Sequence, residues 1–211
     1  MLGDVIIHGS DVGVDVPGRD DLLHGLNITV RSQDRIAIMG PSGSGKSTLL
    51  AALGGLIEPN RGRVVRPGIS TEFDLAWVFQ QTYVLGFRTV LDNVALAGLA
   101  FGLTMAEAQK QAVRACQAVD LSRQITTLAG SISGGERQRI GVARALIGSR
   151  RIILADEPTA NLDSELVLSI SKTLLQSSSV AAVVIATHDQ RVAELCQSIY
   201  HLEGGKIAAT Q

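Results

Sequence analysis

The sequence predicts an α/β fold: a parallel sheet carrying helices, with a small antiparallel β portion and an inserted α-helical lobe. Three observations carry this. Short apolar runs at Arg35-Ile36-Ala37-Ile38-Met39, Ile152-Ile153-Leu154-Ala155 and Val180 to Ala186 are separated by segments with helical periodicity. The later two are continuously apolar, which marks parallel strands buried on both faces. From about residue 82 to 146 the texture changes to Ala-, Leu- and Gln-rich segments with helical spacing.

The elements follow in order. Arg35 to Met39 ends in a glycine-rich loop, after which Leu49, Leu50, Leu53 and Leu56 recur at helical spacing. Arg63 to Arg66 and Ala76-Trp77-Val78-Phe79 read as further short strands. Thr104 to Leu121 is the clearest helix of the lobe: Thr104 caps it, Glu107 completes a capping box, and Ala108, Val113, Cys116 and Val119 supply apolar positions. Leu162, Leu166, Ile170 and Leu174 form a helical stripe, and Ser177-Ser178-Ser179 reads as a turn before the strand Val180 to Ala186. Val192, Leu195, Cys196 and Ile199 predict a last helix. Gly204-Gly205 between Tyr200-His201-Leu202 and Lys206-Ile207-Ala208 predicts a hairpin. One domain of 211 residues is expected, its α/β core at residues 1–81 and 147–211 and its helical lobe at 82–146.

Composition excludes several classes. With 19 Lys+Arg against 20 Asp+Glu the net charge is −1, and the basic residues are scattered, so no basic stripe marks nucleic acid as the partner. The two cysteines, Cys116 and Cys196, sit singly in apolar helical patterns and read as small buried hydrophobes in a reducing compartment. No signal peptide is visible, and the longest apolar run, Val94 to Leu103, is half the roughly 20 residues a helical membrane span needs. A soluble chain is expected. Its mean hydropathy of +0.24 hints at an interface with another component.

The loop Gly40-Pro41-Ser42-Gly43-Ser44-Gly45-Lys46-Ser47, with Thr48 following, has the full Walker A spacing between a strand and a helix. Glycines let the backbone curl so that its N–H groups point at an anion, and the helix start adds a positive dipole end. Lys46 is placed to bridge the outer phosphates and Ser47 to ligate Mg²⁺. An ordinary glycine-rich turn would need neither the flanking elements nor this spacing. The motif specifies a nucleoside triphosphate without specifying its chemistry.

Asp156-Glu157 follows the apolar strand Ile152 to Ala155 at its C-terminal end, the edge where open α/β sheets bind ligands. Two carboxylates there are costly unless used. Asp156 suits Mg²⁺ held through water, and Glu157 suits a general base polarising an attacking water. An exposed Asp-Glu turn before Pro158 is the alternative, and the phosphate loop in the same chain argues against it.

Ser133-Gly134-Gly135-Glu136-Arg137-Gln138 resembles the signature of ATP-binding cassette (ABC) ATPases. Gln80, after Trp77-Val78-Phe79, resembles the Q-loop glutamine; Thr159-Ala160-Asn161-Leu162-Asp163 resembles the D-loop; and Thr187-His188-Asp189 resembles the switch histidine. Each alone has a plain reading: a loop glutamine, a capping histidine, a turn before a helix. All occur in the family's order, from about Val5 to Ile207. The resemblance implies a P-loop NTPase (RecA-like) core, with Glu157, His188, Gln80 and Lys46 catalytic. Residues Gly40, Pro41, Ser42, Gly43, Ser44, Gly45, Lys46, Ser47 and Thr48 would hold ATP, and Ser47, Gln80 and Asp156 would hold Mg²⁺. It implies a head-to-tail homodimer, or a pseudo-symmetric heterodimer, in which Ser133, Gly134, Gly135, Glu136 and Asp163 reach the partner's nucleotide. Ser133 and the glycines precede a helical run, Glu136 to Leu146, another helix start suited to phosphate.

The sequence departs from the family pattern in three places. Gly9 to Asp20 contains no aromatic to stack on adenine; Val12 or Val14 stands in that place, so weak base stacking is expected. Ile132 replaces the usual leucine and Glu136 the usual glutamine, the latter familiar in the lipoprotein-releasing and macrolide-export branch. Gln33-Asp34 replaces the usual Gly-Glu. Without a coiled-coil insertion, a second cassette or a fused membrane domain, the resemblance implies a separate ATPase docking on a polytopic membrane permease at the cytoplasmic face of the plasma (inner) membrane. Leu53-Gly54-Gly55-Leu56 and Ala155 to Asp163 are similar to small cassettes of the lipoprotein-releasing, macrolide-export, bacteriocin-export and cell-division type. Export or membrane extraction is therefore expected; import, or regulation of a membrane partner without transport, is the alternative. Val84-Leu85-Gly86-Phe87-Arg88 and Val94 to Leu103 are the candidate docking segments, with most of the latter expected in the lobe core.

Overall fold

A computed structural model describes residues 4–176 and 181–210. The chain divides into two units: Met1–Ala76 with Arg150–Glu157 and Ser179–Gln211, and Trp77–Ser149 with Pro158–Ser178.

The first unit is built on two sheets. β1 (Val5–Val16) pairs antiparallel with β2 (Arg19–Arg31) and with β4 (Arg61–Val65) in a three-stranded sheet ordered β2-β1-β4. The other sheet contains β3 (Arg35–Met39), β5 (Leu75–Val78), β6 (Ile152–Asp156), β7 (Ala182–Thr187), β8 (Ser198–Glu203) and β9 (Lys206–Thr210), in the order β5-β6-β7-β3-β8-β9. β5 begins in this unit with Leu75 and Ala76. β6, β7, β3 and β8 run parallel, with Ile153 opposite Val183, Ala37 opposite Ile185 and Ile38 opposite Tyr200.

Every residue of β7 is buried, as are Ile152 to Ala155 of β6 and Ile36 to Met39 of β3. A strand flanked by helices has no water-facing side, which is why these runs are apolar throughout. α1 (Lys46–Gly54) covers β6 and β7 and buries Leu49, Leu50 and Leu53 completely. The antiparallel hairpin β8–β9 turns at Gly204-Gly205 as the sequence indicates.

The predicted helix through Ile199 is corrected. α6 (Gln190–Ala193) ends after four residues, and Ile199 lies on β8 opposite Ala37. Ala37, Met39 and Ala193 form a small cluster with Cys196 and Ile199 against it. The same apolar spacing is thus met by one helical turn followed by a strand, because β3 needs a parallel neighbour on that side. Ser177-Ser178-Ser179 and Val180 lie outside the described residues.

The second unit is helical: α2 (Val90–Ala100), α3 (Met105–Ala118), α4 (Gly134–Ala145) and α5 (Ser164–Gln176), with α2, α3 and α4 in mutual contact and α5 against α4. Three helices start on capping boxes: Thr89 with Asp92, Thr104 with Glu107, and Ser133 with Glu136. Such a box satisfies two otherwise unpaired backbone donors, which fixes the helix start from local sequence. Gly98 lets α2 and α3 approach closely, since a Cβ there would lie 2.9 Å from Ala108 Cβ. Of the run Val94 to Leu103, Val94, Ala95 and Gly98 are buried and Leu96 is exposed. Cys116 is fully buried and Cys196 half-buried; burial pushes each thiol up to about 11.

Candidate functional site

In the first unit the residues singled out by sequence converge at the C-terminal ends of β3, β6 and β7. The loop from Gly40 to Gly45 joins β3 to α1, whose N-cap, Gly45, is left-handed at φ 102° and offers no side-chain acceptor to the first-turn amides. Those amides are free to face an anion. Gly40 admits no side chain, because a Cβ would run into the Leu202 carbonyl oxygen. The Ser44 hydroxyl is buried without a protein partner.

Lys46 is almost fully buried, and its Nζ donates to the carbonyls of Gly40 (2.8 Å) and Pro41 (3.1 Å). It also lies 3.8 Å from Glu157 Oε1. The ammonium is therefore curled onto its own loop, poised over the space the loop encloses. Ser47 hydrogen-bonds Asp156, whose pKa is raised chiefly by burial, with Glu157 adding to the rise and Ser47 and Lys46 opposing it. Asp156 Oδ1 is buried with no partner.

Glu157 has φ 44°, the left-handed region, which costs a residue bearing a Cβ on the order of 1 kcal/mol or more. Its amide is held by the Ala186 carbonyl at 2.9 Å. Its carboxylate oxygens lie 2.9 and 3.0 Å from His188 Nδ1. The Glu157 side chain is 12% exposed and that of His188 69%. A shielded carboxylate thus sits against an imidazole that solvent or a ligand can reach. Next to His188, Asp189 caps α6 through the Arg191 amide, and the Arg191 guanidinium holds its carboxyl below the usual range.

The acceptors fit a hard cation bound with phosphate. An orphaned carboxylate oxygen beside a serine hydroxyl suits Mg²⁺, which usually takes one or two protein oxygens and completes its shell with phosphate and water. No group of three or more His, Cys, Asp or Glu able to hold a metal occurs among the described residues. Glycine-cradled amides, Lys46 and the unpartnered Ser44 hydroxyl suit a polyphosphate.

The second unit brings together a different set. The rings of Trp77 and Phe79 stack 5.2 Å apart just before Gln80. Gln80, Gln81, Thr82, Gly134, Arg137, Gln138 and Asn161 line one cavity of about 550 Å³. Gly135 meets the D-loop backbone, where a Cβ would lie 2.7 Å from the Asn161 oxygen. Ser133 caps α4, and Ser133 N and Oγ each donate to Glu136 Oε2 at 2.8 Å, contacts that pull the Glu136 carboxyl below its usual range. Asp163 Oδ1 accepts the Leu166 amide at the start of α5.

Two further observations bear on the sequence expectations. Val12 is fully buried and Val14 nearly so, so neither stands in for a base-stacking ring. Both point inward from β1, while Asp11 and Asp15 face solvent. Asn93, fully buried, pairs with the half-buried Arg144 beside the Gln80 segment, a contact with no sequence signature. A lone Asn and Arg on amphipathic helices give no signal of pairing across 51 residues.

The ABC transporter family matches residues 23–160. The chain belongs to the ABC transporter family. A lipoprotein-releasing system ATP-binding protein LolD from Legionella pneumophila (strain Lens) is 35% identical over 205 residues, covering 90% of both chains. One from Rickettsia prowazekii (strain Madrid E) is 37% identical over 193 residues, covering 87% of both. The chain also resembles the ATP-binding cassette MJ0796 solved as a dimer in a post-hydrolysis state bound to ADP and Pi, with TM-score 0.85, 30% identity and 98% of each chain covered. The fold is that of the P-loop NTPase cassettes, and the protein is an ABC transporter ATP-binding subunit that hydrolyses ATP with Mg²⁺ as cofactor. Among the described residues no helix is long and apolar enough to cross a membrane.

Proposed function

We propose that this ABC ATPase drives a separate polytopic permease of the lipoprotein-releasing type, acting from the cytoplasmic face of the membrane in export or membrane extraction. The observation that carries the enzymatic part is the Lys46–Glu157–His188 constellation beside the Ser47–Asp156 pair. We read residues 1–81 and 147–211 as the nucleotide-binding core and residues 82–146 as the lobe that carries the signature and faces the permease. Tyr83, Leu85 and Phe87 are exposed apolar residues on that lobe, which supports the docking segment read from sequence.

The residue roles are carried over from the sequence motifs. Residues Gly40 to Thr48 wrap the phosphates, and Lys46 exchanges its loop carbonyls for phosphate oxygens. Ser47 and Asp156 would hold Mg²⁺, with Gln80 as the further ligand its motif implies, and the ion would neutralise phosphate charge. Glu157 accepts the proton of the attacking water, and His188 orients the Glu157 carboxylate and then meets the terminal phosphate. Ser133, Gly134, Gly135, Glu136 and Asp163 act on the partner's nucleotide in a closed dimer, a two-fold arrangement with two equivalent sites.

The test is capture of tagged Glu157→Gln protein with Mg-ATP from native membranes, with retained proteins identified by mass spectrometry. A polytopic membrane protein is the expected partner. Recovery of soluble or ribosomal proteins alone would end the permease reading.

A further inference from the structure

The Gln80 segment rests on one helix at three successive positions. Gln138, 2% exposed, donates from Nε2 to the Phe79 carbonyl at 3.1 Å, immediately before Gln80. Three residues on, Gly141 lies under Thr82, so close that a Cβ would run into the Thr82 hydroxyl. Three residues further, Arg144 donates from Nη1 to the Tyr83 carbonyl at 2.8 Å. Positions spaced by three share a helix face. α4 therefore grips the backbone on both sides of Gln80-Gln81-Thr82.

The grip extends beyond the segment. Arg144 Nε donates to the Asn93 carbonyl at 2.9 Å and Nη2 to Asn93 Oδ1 at 3.0 Å. Asn93, fully buried, accepts the Leu85 amide at 2.8 Å and donates to the Leu85 and Thr89 carbonyls. Burial lowers the Arg144 pKa, while the guanidinium bonds neutral oxygens in a fixed fork. Apolar side chains of equal volume would fill the same space, so the polar choice serves backbone placement. At its other end α4 begins at Ser133, the signature residue.

We propose that Gln138 and Arg144 are positioning residues that bind the backbone flanking Gln80 to the signature helix, so that Gln80 and Ser133 to Gly135 move as one piece. This rests on the reading of Gln80 as a Mg²⁺ ligand. A ligand displaced by about 1 Å costs about 100-fold in rate without abolishing substrate binding. The single tryptophan, Trp77, stacks on Phe79 and reports the same backbone by fluorescence.

The experiment uses the full chain with Gln138→Met, which keeps the length and removes the donor, alongside Gln80→Ala and the double variant. Steady-state ATP hydrolysis is measured against ATP and against Mg²⁺, with melting temperature as the folding control. Gln138→Met is expected to lower kcat about 10- to 100-fold, leave the KM for ATP within about twofold, raise the Mg²⁺ half-saturation and shift Trp77 emission. In the Gln80→Ala background it should add nothing further. Unchanged kcat and Mg²⁺ dependence, or losses that multiply in the double variant, would overturn the proposal. Full activity of Gln80→Ala by itself would instead overturn the role of Gln80, and it is read independently of Gln138. If Gln138→Met does not fold, Gly141→Ala puts the same question through Thr82, with the same outcomes.

Discussion

Replacing Glu157 with Gln isolates proton acceptance from every other property of that side chain. The amide has nearly the same volume in a pocket where the Glu157 side chain is 12% exposed, and it can still hydrogen-bond His188 Nδ1, now 2.9 Å from Oε1. Lys46 loses a carboxylate at 3.8 Å but keeps two carbonyl acceptors at 2.8 and 3.1 Å, so no buried charge is left unpartnered. The stability change should thus stay under about 1 kcal/mol, a shift in melting temperature of about 2–4 °C for a chain of this size. Removing an anion beside the phosphate loop should leave ATP affinity unchanged or tighter. Catalysis should fall by the contribution of general base catalysis, about 10²- to 10⁴-fold, or about 3–5 kcal/mol of barrier. The assay is phosphate release under saturating Mg-ATP, paired with equilibrium ATP binding and size-exclusion chromatography, where ATP should hold the variant as a dimer. A kcat within about threefold of the parent, with ATP binding intact, refutes the assignment of Glu157.

Glu157→Gly should abolish turnover while leaving thermal stability equal or higher, because it relieves a left-handed conformation costing on the order of 1 kcal/mol; a fall in melting temperature beyond about 5 °C would show that the strain is not there. The Glu136 carboxyl is held below its ordinary range by Ser133, so its contribution to stability is full above the unfolded pKa of about 4.3 and is lost as pH falls through the lower folded value. Glu136→Gln should accordingly flatten the acid limb of a melting curve taken between pH 6 and 3, and parallel curves would remove the capping box as its cause. At pH 8 Cys116, buried and raised to about 11, should react with a disulfide reagent only on unfolding. The half-buried Cys196 should react slowly in the folded protein, and rapid reaction of both thiols would contradict the packing of α3.

Much of the site was readable in sequence because its motifs are local. The loop from Gly40 to Ser47 encodes its own backbone path, with Gly40 and Gly45 where a Cβ would collide, Gly43 at a left-handed φ, and a strand and helix on either side. The capping boxes at Thr89, Thr104 and Ser133 likewise specify helix starts within four residues. Asp156 and Glu157 follow a strand whose unbroken apolarity announces burial on both faces.

What sequence left open is what depends on long-range neighbours. Apolar spacing from Val192 to Ile199 fits a helix, and only the demand of β3 for a parallel partner puts Ile199 on a strand. Val12 and Val14 are indistinguishable by sequence from an exposed base platform until the β1 pairing turns them inward. By itself the sequence determined local structure: a glycine loop between strand and helix, the carboxylates that follow β6, and where the capped helices begin. Tertiary structure alone decided that Glu157 meets His188 across 31 residues and that α4 grips both flanks of Gln80. The physical reason is that capping boxes and glycine turns are set by residues a few positions apart, whereas these contacts join groups whose spacing in the chain carries no trace of their meeting.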